Sequence, residues 1–475
     1  MASKLTARQF QAADGARDWR VLADGASACF RTTGYPQGAD FVSRLAGLDV
    51  VVRQPPDVDV RGSAVTLRTL TPGVGVTTAD LGVARAVSGL AREMGLQPDP
   101  AVVQEINLTI DASDAAAVRP YWAAALGFDP VGDDELVDPM RRWPGFWFQH
   151  MDTPRPLRNR IHLDIGLPYE HAARRVQAAV AAGGRVVNDD AGESCMVTAD
   201  AEGNEACLSS FEGRGQRGSV EQTIHTTVGR ADWRFTVYDG LRAFFGTPDL
   251  ATSAAFLAAV VPLASDDGTG ERPHVALDVR PAGVTVRLRT ERDDGWGIGA
   301  RDAELARGIS EAAARLGLVA DPARVQAVKV GIDALDRRAV MPFWQAVLGY
   351  VVRPDSDVQL VDPVDRGPGV WFQDMLPELD PRHAERAAQR NRIHVDVFVP
   401  DDQAPTRIAA AVAAGGRVVY DAEAPEWWTL ADPEGNEVDV AVVPGREEIW
   451  LAAQGAEQAE QAEVHDAEKE EVTHE

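Results

Sequence analysis

Two stretches of this chain carry the same chemically capable side chains in the same order. NRIHLDI (159–165) and AEGNEA (201–206) in the first half return as NRIHVDV (391–397) and PEGNEV (433–438) in the second. A histidine, a nearby aspartate and a Glu after a Gly-Asn turn can act as acid, base or metal ligand. The repeat therefore predicts two related pockets.

Strand alternation predicts which of these side chains line a pocket. In the first copy the isoleucines and the leucine share one face, which leaves Arg160, His162 and Asp164 on the other. The second copy repeats this pattern with His394 and Asp396. The two histidines and two aspartates are our predicted catalytic residues, with each histidine as a general base that the aspartate orients.

Other side chains are predicted to reach the same faces. FWFQ (146–149) and VWFQ (370–373) each place a Trp and a Gln together, and the strand after each EGN turn adds one more position. The predicted ligand-binding residues are Trp147, Gln149, Trp371, Gln373, Asn107, Cys207 and Asp439. Because flat molecules stack on indole rings, an aromatic ligand suits such a pocket.

The order of the motifs is specific. An aromatic pair before Leu-Gly, then the WFQ segment, NRIH, AAGGRVV and the EGN turn fill nearly all of 104–210 and 326–442. This order resembles a glyoxalase-like domain of the vicinal oxygen chelate superfamily. The resemblance implies two βαβββ modules per domain, whose curved sheets form a cup, and hence one cup in each half of the chain.

The resemblance also implies metal ligands on the cup walls. At the second-module positions the chain has His162, Glu205, His394 and Glu437. At the first-module positions it has Asn107 or Thr109 with Gln149, and Lys329 or Gly331 with Gln373. Amides are weak ligands, and a lysine beside a divalent ion is unfavourable. Both a divalent metal and the absence of any cofactor therefore stay open, with His162, Glu205 and Gln149 the more complete set.

A structural interpretation of the same residues also stays open. His and Asp on a cup wall can simply hydrogen bond, and Gly-Asn turns are common hairpin devices because both residues tolerate positive φ. The two copies also differ in three places. Cys207 stands where the second copy has Asp439, Cys195 where it has Trp427, and Asn107 where it has Lys329.

The duplication extends upstream of the pockets. MGLQPDPAVVQ (94–104) returns as LGLVADPARVQ (316–326), and DWRVLADG (18–25) resembles DWRFTVYDG (232–240). The repeat of about 220 residues predicts a tandem two-domain cassette of the α+β class. The predicted domains are 1–98, 99–212, 213–320 and 321–446, followed by an acidic disordered tail at 447–475.

The smaller domains have a fainter resemblance, carried by Trp19, VTLRT (65–69) and Asp80, and by Trp233, VRLRT (286–290) and Asp302. They resemble pterin-4a-carbinolamine dehydratases, which imply an antiparallel sheet covered by helices. The dehydratases use a His-His-Pro segment and a Thr-His pair. Here those positions read Gln54-Pro55 with Thr69-Leu70, and Glu271-Arg272 with Thr290-Glu291. Without imidazoles to move protons we expect no dehydratase activity, and instead a role in dimerisation or in walling the cup.

Composition limits the partners. The net charge of -26 over 475 residues disfavours nucleic acid and anionic membranes, and no apolar run is long enough to span a bilayer. Three cysteines are too few for a disulfide framework, which favours a reducing cytoplasm. Cys195 and Cys207 could approach each other across a hairpin, but we expect two buried thiols.

Three functions fit the sequence. The first is a metal-free binder that sequesters a small molecule, for instance an aromatic natural product. The second is a lyase, isomerase or dioxygenase, with a metal that polarises an oxygen or with histidine as the base. The third is a scaffold or regulatory protein. The expected partners are a small-molecule ligand and, through the smaller domains, further copies of the chain.

Overall fold

The computed structural model describes residues 2–188, 195–210, 232–236, 240–264, 272–292, 295–376 and 382–446. The predicted tail and Glu271 lie outside these ranges. Helices and strands alternate through both halves, which confirms the predicted α+β class. None of the described helices combines the length and the apolar character needed to cross a bilayer.

The first smaller unit is a sheet covered by helices. Its elements are α1 (Ala7–Gln11), β1 (Arg20–Leu22), β2 (Gly25–Arg31), α2 (Tyr35–Leu45), α3 (Asp49–Arg53), β3 (Asp57–Val60), β4 (Ala64–Thr69), α4 (Thr78–Glu93) and β5 (Gln97–Pro98). Helix α4 begins with a capping box, in which Thr77 accepts from the Asp80 backbone and Asp80 accepts from the Thr77 backbone. Asp80 also accepts from Thr69 Oγ1 at 2.8 Å, which ties the start of α4 to the end of β4.

The first larger segment follows at once. Its elements are β6 (Glu105–Ala112), α5 (Ala115–Leu126), β7 (Asp129–Val131), β8 (Glu135–Val137), β9 (Phe146–His150), β10 (Ile161–Gly166), α6 (Tyr169–Ala181), β11 (Arg185–Asn188), β12 (Cys195–Ala199) and β13 (Glu205–Ser209). This is the strand-helix-three-strand order, twice over.

The second half repeats both units. The smaller unit has β14 (Arg234–Thr236), β15 (Gly240–Gly246), α7 (Leu250–Val260), a short 3-10 turn (Val261–Ala264), β16 (Arg272–Arg280), β17 (Gly283–Arg292), β18 (Gly295–Gly297) and α8 (Ala300–Arg315). The larger segment has a 3-10 turn (Pro322–Arg324), β19 (Ala327–Ala334), α9 (Arg337–Leu348), β20 (Val351–Val352), β21 (Gln359–Val361), β22 (Gly369–Asp374), α10 (Arg382–Ala388), β23 (Ile393–Phe398), α11 (Ala404–Ala413), β24 (Arg417–Tyr420), β25 (Trp427–Ala431) and β26 (Glu437–Ala441).

The two smaller units share one ten-stranded sheet. Its order is β1-β2-β4-β3-β16-β17-β15-β14, with β5 beside β2 and β18 beside β17. The units meet where β3 and β16 pair antiparallel, with Asp59 directly opposite Asp278. A single apolar core contains residues of both units, so they form one body within the chain.

Each eight-stranded sheet also takes strands from both halves. One has the order β11-β12-β13-β10-β19-β22-β21-β20, and the other has the order β24-β25-β26-β23-β6-β9-β8-β7. The expectation of one cup in each half is therefore wrong. The second module of one half pairs with the first module of the other, through β10 with β19 and β23 with β6. We call these sheets the His162 cup and the His394 cup.

The first two residues of each NRIH motif join the two halves. Asn391 Oδ1 accepts from the Arg160 backbone at 2.9 Å, and Asn159 Oδ1 accepts from the Arg392 backbone at 2.9 Å. The Arg160 side chain is buried and donates to the Glu434 carbonyl at 3.0 Å. Arg160 was expected on the cup face beside His162, and this expectation is wrong because β10 begins only at Ile161.

The cups dock on the central sheet through buried ion pairs. Across the β3–β16 junction, Arg61 contacts Asp278 at 2.6 Å and Arg280 contacts Asp59 at 2.8 Å. The loop after β8 adds Arg142, whose Nε lies 2.6 Å from Asp278. Burial alone would raise the pKa of Asp278, but the surrounding guanidinium groups hold it well below its usual range. The loop after β21 adds an equivalent pair, Arg366 with Asp59, at 2.8 Å.

Removing one docking arginine should destabilise the chain. In Arg142→Ala the buried Asp278 loses a partner, and we expect the free energy of unfolding at pH 7 to fall by about 3 kcal/mol. Arg44→Ala is the control, because its pair with Asp40 is more than half exposed and should be worth less than about 1 kcal/mol. Urea denaturation measures both, and equal losses would contradict the docking role.

Candidate functional site

Two neighbouring strands bring a histidine and two aspartates together in the His394 cup. Strand β23 carries His394 and Asp396, and β26 places Asp439 beside Asp396. On the other side, β6 places Thr109 opposite His394 and Asn107 opposite Asp396. His394 Nδ1 lies 3.1 Å from Asp396 Oδ1 and 3.6 Å from Asp439 Oδ2. The predicted residues His394, Asp396 and Asp439 therefore form one cluster.

A third aspartate completes the surroundings of His394. Asp111 Oδ1 lies 3.6 Å from His394 Nε2, and Asp111 also contacts Arg155. Thr109 Oγ1 donates to Asp396 Oδ2 at 2.6 Å and so fixes that carboxylate. Asp111 was not predicted, although a signal existed. It lies two residues beyond Thr109 on the same face of β6, and the second copy repeats it.

The carboxylates stabilise the charged imidazole. Burial disfavours the imidazolium, because His394 is only 6% exposed, but Asp396, Asp111 and Asp439 outweigh this effect. Together they raise the pKa of His394 well above its usual value. Burial also raises the pKa of Asp439 to about 6, although the charge of His394 opposes this shift. In the absence of a cation the cluster therefore holds a proton on His394 at neutral pH.

Other predicted residues lie around this cluster. Trp147 and Gln149 were expected in one cup with His162 and Glu205, and this expectation is wrong, because β9 belongs to the sheet of β6 and β23. Glu437 accepts from Arg390 Nε at 2.6 Å and does not join His394 in the metal-ligating group. Trp147 lies on β9 beside Thr109 of β6. It is 43% exposed, and its Nε1 donates a hydrogen bond to Asp134 at 3.1 Å. Gln149 is exposed beside Asp111. The cup is thus closed around His394 and open at Trp147.

The strands of the His162 cup have the same register as those of the His394 cup but carry different side chains. His162 lies opposite Gly331, and Asp164 lies between Lys329 and Cys207. The distance from His162 Nε2 to Asp164 Oδ1 is 3.7 Å, which is too long for a hydrogen bond. The histidine and the aspartate are therefore less tightly joined than in the His394 cup.

Gly331 makes room for the His162 ring. A Cβ at position 331 would lie 2.3 Å from His162 Nε2, so a side chain here would displace the imidazole. The ring meets the Trp371 indole edge to face, with centroids 5.8 Å apart and planes at 87°. Trp371 was expected beside His394 of its own copy, and this expectation is wrong, because Trp371 contacts His162, which lies over β19.

Arginines form ion pairs with the other acidic side chains of the His162 cup. Arg158 Nε donates to both Glu205 oxygens, at 2.9 and 2.8 Å. Asp333 accepts from Arg158 at 3.2 Å and from Arg386 at 2.5 Å, and Gln373 is exposed beside it. In both cups the predicted glutamate is thus neutralised by an arginine that precedes the NRIH strand, a feature that the sequence analysis missed.

The cysteines of the His162 cup are joined. Cys195 and Cys207 form a disulfide with Cα atoms 6.1 Å apart, and both residues are half-buried. The expectation of two buried thiols is therefore wrong. Cys207 pairs with Val197, two residues from Cys195, so the two cysteines are diagonal neighbours on one face of the hairpin. Cys29 is free and buried.

The EGN turns are largely architectural. Asp200 accepts from Trp122 Nε1 at 2.9 Å and from the Asn204 backbone at 2.9 Å. Asp432, Trp344 and Asn436 repeat these bonds in the second half. Each turn therefore anchors the helix tryptophan of its own half and positions the strand that follows.

The two cups differ in their fit to a divalent metal. Ligand atoms of His394, Asp396 and Asp439 lie within 4.8 Å of one another, and Asp439 Oδ1 and Asn107 Oδ1 are buried without a hydrogen bond. Imidazole and carboxylate are suitable donors, so this set fits a metal. The described residues of the His162 cup form no such group. There the disulfide holds Cys207, and Lys329 replaces Asn107.

Residues 107–209 and 329–441 match the family model described as glyoxalase-like domain. The chain carries two glyoxalase-like segments. Similar solved structures include a glyoxalase/bleomycin resistance protein/dioxygenase family enzyme from Burkholderia phytofirmans PsJN, at 18% identity, covering 24% of this chain and 94% of that chain with a TM-score of 0.19. A glyoxalase-related enzyme from Fulvimarina pelagi is 20% identical, covering 24% and 86%, with a TM-score of 0.18.

Glyoxalase I from Zea mays covers more of the molecule. It is 11% identical, covers 74% of this chain and 96% of that chain, and has a TM-score of 0.21. A search of curated proteins found no match. At these identities and TM-scores, none of the solved structures transfers an activity, a substrate or a metal to the glyoxalase-like segments.

The raised pKa of His394 has a consequence for stability. In chelator-treated protein the imidazolium contributes fully below the unfolded value of about 6.5, and its contribution is lost as pH rises through the folded pKa. We therefore expect the free energy of unfolding to fall above about pH 6.5, by at most about 1.4 kcal/mol per pH unit for this one proton. Urea denaturation over a pH series measures the fall.

The variant His394→Gln should show a smaller fall, because it has no proton to lose at this position. The matched variant His162→Gln changes the other cup and should keep the fall seen in the parent chain. An undiminished fall in His394→Gln would contradict the assignment.

Proposed function

We propose that the His394 cup is a binding site for a small molecule that carries oxygen donors beside a flat, aromatic part. The observation that carries this proposal is the buried cluster of His394, Asp396 and Asp439, which lies in the same cup as the exposed Trp147. The indole face can stack on a ring, while the cluster binds the polar end.

A divalent cation is part of this proposal. His394, Asp396 and Asp439 would hold it, and Asn107 Oδ1, which has no hydrogen bond, lies opposite Asp396 as a neighbouring oxygen donor. Thr109 keeps Asp396 oriented, and the contact with Arg155 holds Asp111 in place behind His394. The cation would replace the imidazolium proton, so metal affinity should rise with pH.

The second candidate function is an enzyme of the lyase, isomerase or dioxygenase type. The same cluster favours it, since a metal held there would polarise a carbonyl or enediolate oxygen of the bound molecule. Gln149 is exposed next to Asp111 and would donate a hydrogen bond to that molecule. Asp396, within hydrogen-bond distance of His394, would orient the imidazole if it moves a proton.

The smaller units are proposed to be a catalytically silent scaffold of the dehydratase-like fold. Gln54 and Thr69, at positions where the dehydratases have acid/base groups, both contact Asp80 at the start of α4. Thr290 donates to Asp302 at 2.7 Å in the second unit. These side chains hold the helix to the sheet, and none of them is an imidazole.

Metal and ligand binding test the proposal directly. Calorimetric titration of Zn²⁺ into oxidised, chelator-treated protein should give one site, which weakens at least about tenfold in Asp439→Asn and in His394→Ala. His162→Ala is the matched control and should leave binding unchanged. Equal binding by His394→Ala and the parent chain would exclude the proposed metal site.

The flat part of the ligand is tested separately with catechol, which has two neighbouring oxygen donors on a ring. Catechol should quench tryptophan fluorescence of the metal-loaded protein. Trp147→Ala should weaken its binding by roughly 1 kcal/mol, about fivefold, because a stacking face is lost. Unchanged affinity in Trp147→Ala would contradict the stacking role, and leave the metal test unaffected.

A further inference from the structure

The two cups can be compared position by position, because their strands have the same register. Asp396 lies beside Asp439 in the His394 cup, and Asp164 lies beside Cys207 in the His162 cup. Each aspartate follows a cup histidine by two residues on the same strand. Cys207 therefore occupies the position of a proposed cation ligand.

The disulfide removes that ligand. Its partner Cys195 stands where the other half has Trp427, so only the His162 cup can close this bond. Both cysteines are half-buried, which leaves the bond within reach of a small dithiol. A thiolate is a stronger ligand than a carboxylate for Zn²⁺ and similar soft cations.

A second observation points to a ligand in this cup. His162 is 8% exposed, and its Nδ1 is buried without a hydrogen bond. Its Nε2 lies 3.7 Å from Asp164 Oδ1 and its Nδ1 lies 3.9 Å from Asp333 Oδ1, and both distances are too long for a hydrogen bond. The imidazole and the carboxylate are therefore held close to each other without satisfying one another, unlike His394 and Asp396.

We infer that the Cys195–Cys207 disulfide is a redox gate on a second cation site, formed by His162, Asp164 and the reduced Cys207. A dithiol reductant supplies two electrons and two protons, the S–S bond breaks, two thiols form, and the reductant becomes a disulfide. Binding of Zn²⁺ then displaces the Cys207 thiol proton to water. Oxidation closes the site by reversing the first step.

Lys329 sets how strongly this site binds. It lies opposite Asp164, at the position that Asn107 occupies in the His394 cup. A cation in the oxidised cup would meet the ammonium group with Asp164 as the only acidic member of the proposed ligand set. The thiolate adds the missing negative charge, which is why the site depends on reduction.

The test uses Co²⁺, because thiolate ligation gives a charge-transfer absorption that imidazole and carboxylate do not. All proteins carry His394→Ala and Asp439→Asn, so that the other cup cannot contribute. With dithiothreitol the protein should bind one Co²⁺ with the thiolate band, and without reductant it should bind at least about tenfold more weakly and show no band. Equal binding in both states would overturn the gate.

Single changes identify the ligands. Cys195→Ser frees Cys207 permanently and should bind Co²⁺ with the band and without reductant. Cys207→Ser should abolish the band in both states. Lys329→Asn, which copies the other cup, should strengthen binding in the reduced state. Binding that needs both cysteines but survives His162→Ala and Asp164→Asn would be simple dithiol chelation, and would overturn the proposed set.

A final variant guards against a folding defect. Cys207→Asp copies Asp439 and should bind Co²⁺ without the band and without dependence on reductant. Failure of Cys207→Asp to bind, with unchanged circular dichroism, would argue against a cation site in this cup. The proposed function is tested in the oxidised chain at His394, so either idea can fail while the other holds.

Discussion

Neither half of this chain can complete a cup alone, because the strand that carries each histidine pairs with the first strand of the other glyoxalase-like segment. This exchange of strands between the halves is stabilised by the buried asparagines and arginines of the NRIH motifs, which form hydrogen bonds between the two halves. The central sheet adds a second junction, where Asp59 and Asp278 face each other between arginines. The chain therefore resembles an internal dimer in which each cup is built from strands of both halves.

This arrangement explains how the two cups differ while the copies stay similar. A change in the first strand of one half alters the cup of the other half. Asn107 contributes to the His394 cup and Lys329 to the His162 cup, whereas Asp439 and Cys207 lie in the second modules. The His394 cup thus has Asn107 and Asp439 where the His162 cup has Lys329 and the disulfide-bonded Cys207. The two cups therefore differ in charge beside equivalent histidine–aspartate pairs.

Much of the local structure could be predicted from the sequence. Strand alternation correctly put His394 and Asp396 on one face of β23. The pairing of β23 with β26 then brings Asp439 beside Asp396. The exchange could not be predicted, because β6 and β19 have the same apolar alternation and either could pair with β10. Only contacts between distant residues decide the choice. The arginines on Glu205 and Glu437 were missed for the same reason, since an ion pair has no periodic signal.

Some residues of the NRIH and EGN motifs make structural contacts, and others face the cups. Asn, Arg and the turn residues hold the halves and the helices together, and their loss would alter both cups at once. His and Asp point into the cup, where their properties depend on one neighbour on the adjacent strand. Asp439 adds a second carboxylate beside His394, and together with Asp396 and Asp111 it raises the pKa of the imidazole. In the His162 cup the disulfide removes the corresponding charge. A repeated motif therefore sets where a cup lies, and single residues outside it set the charge and the hydrogen bonds of that cup.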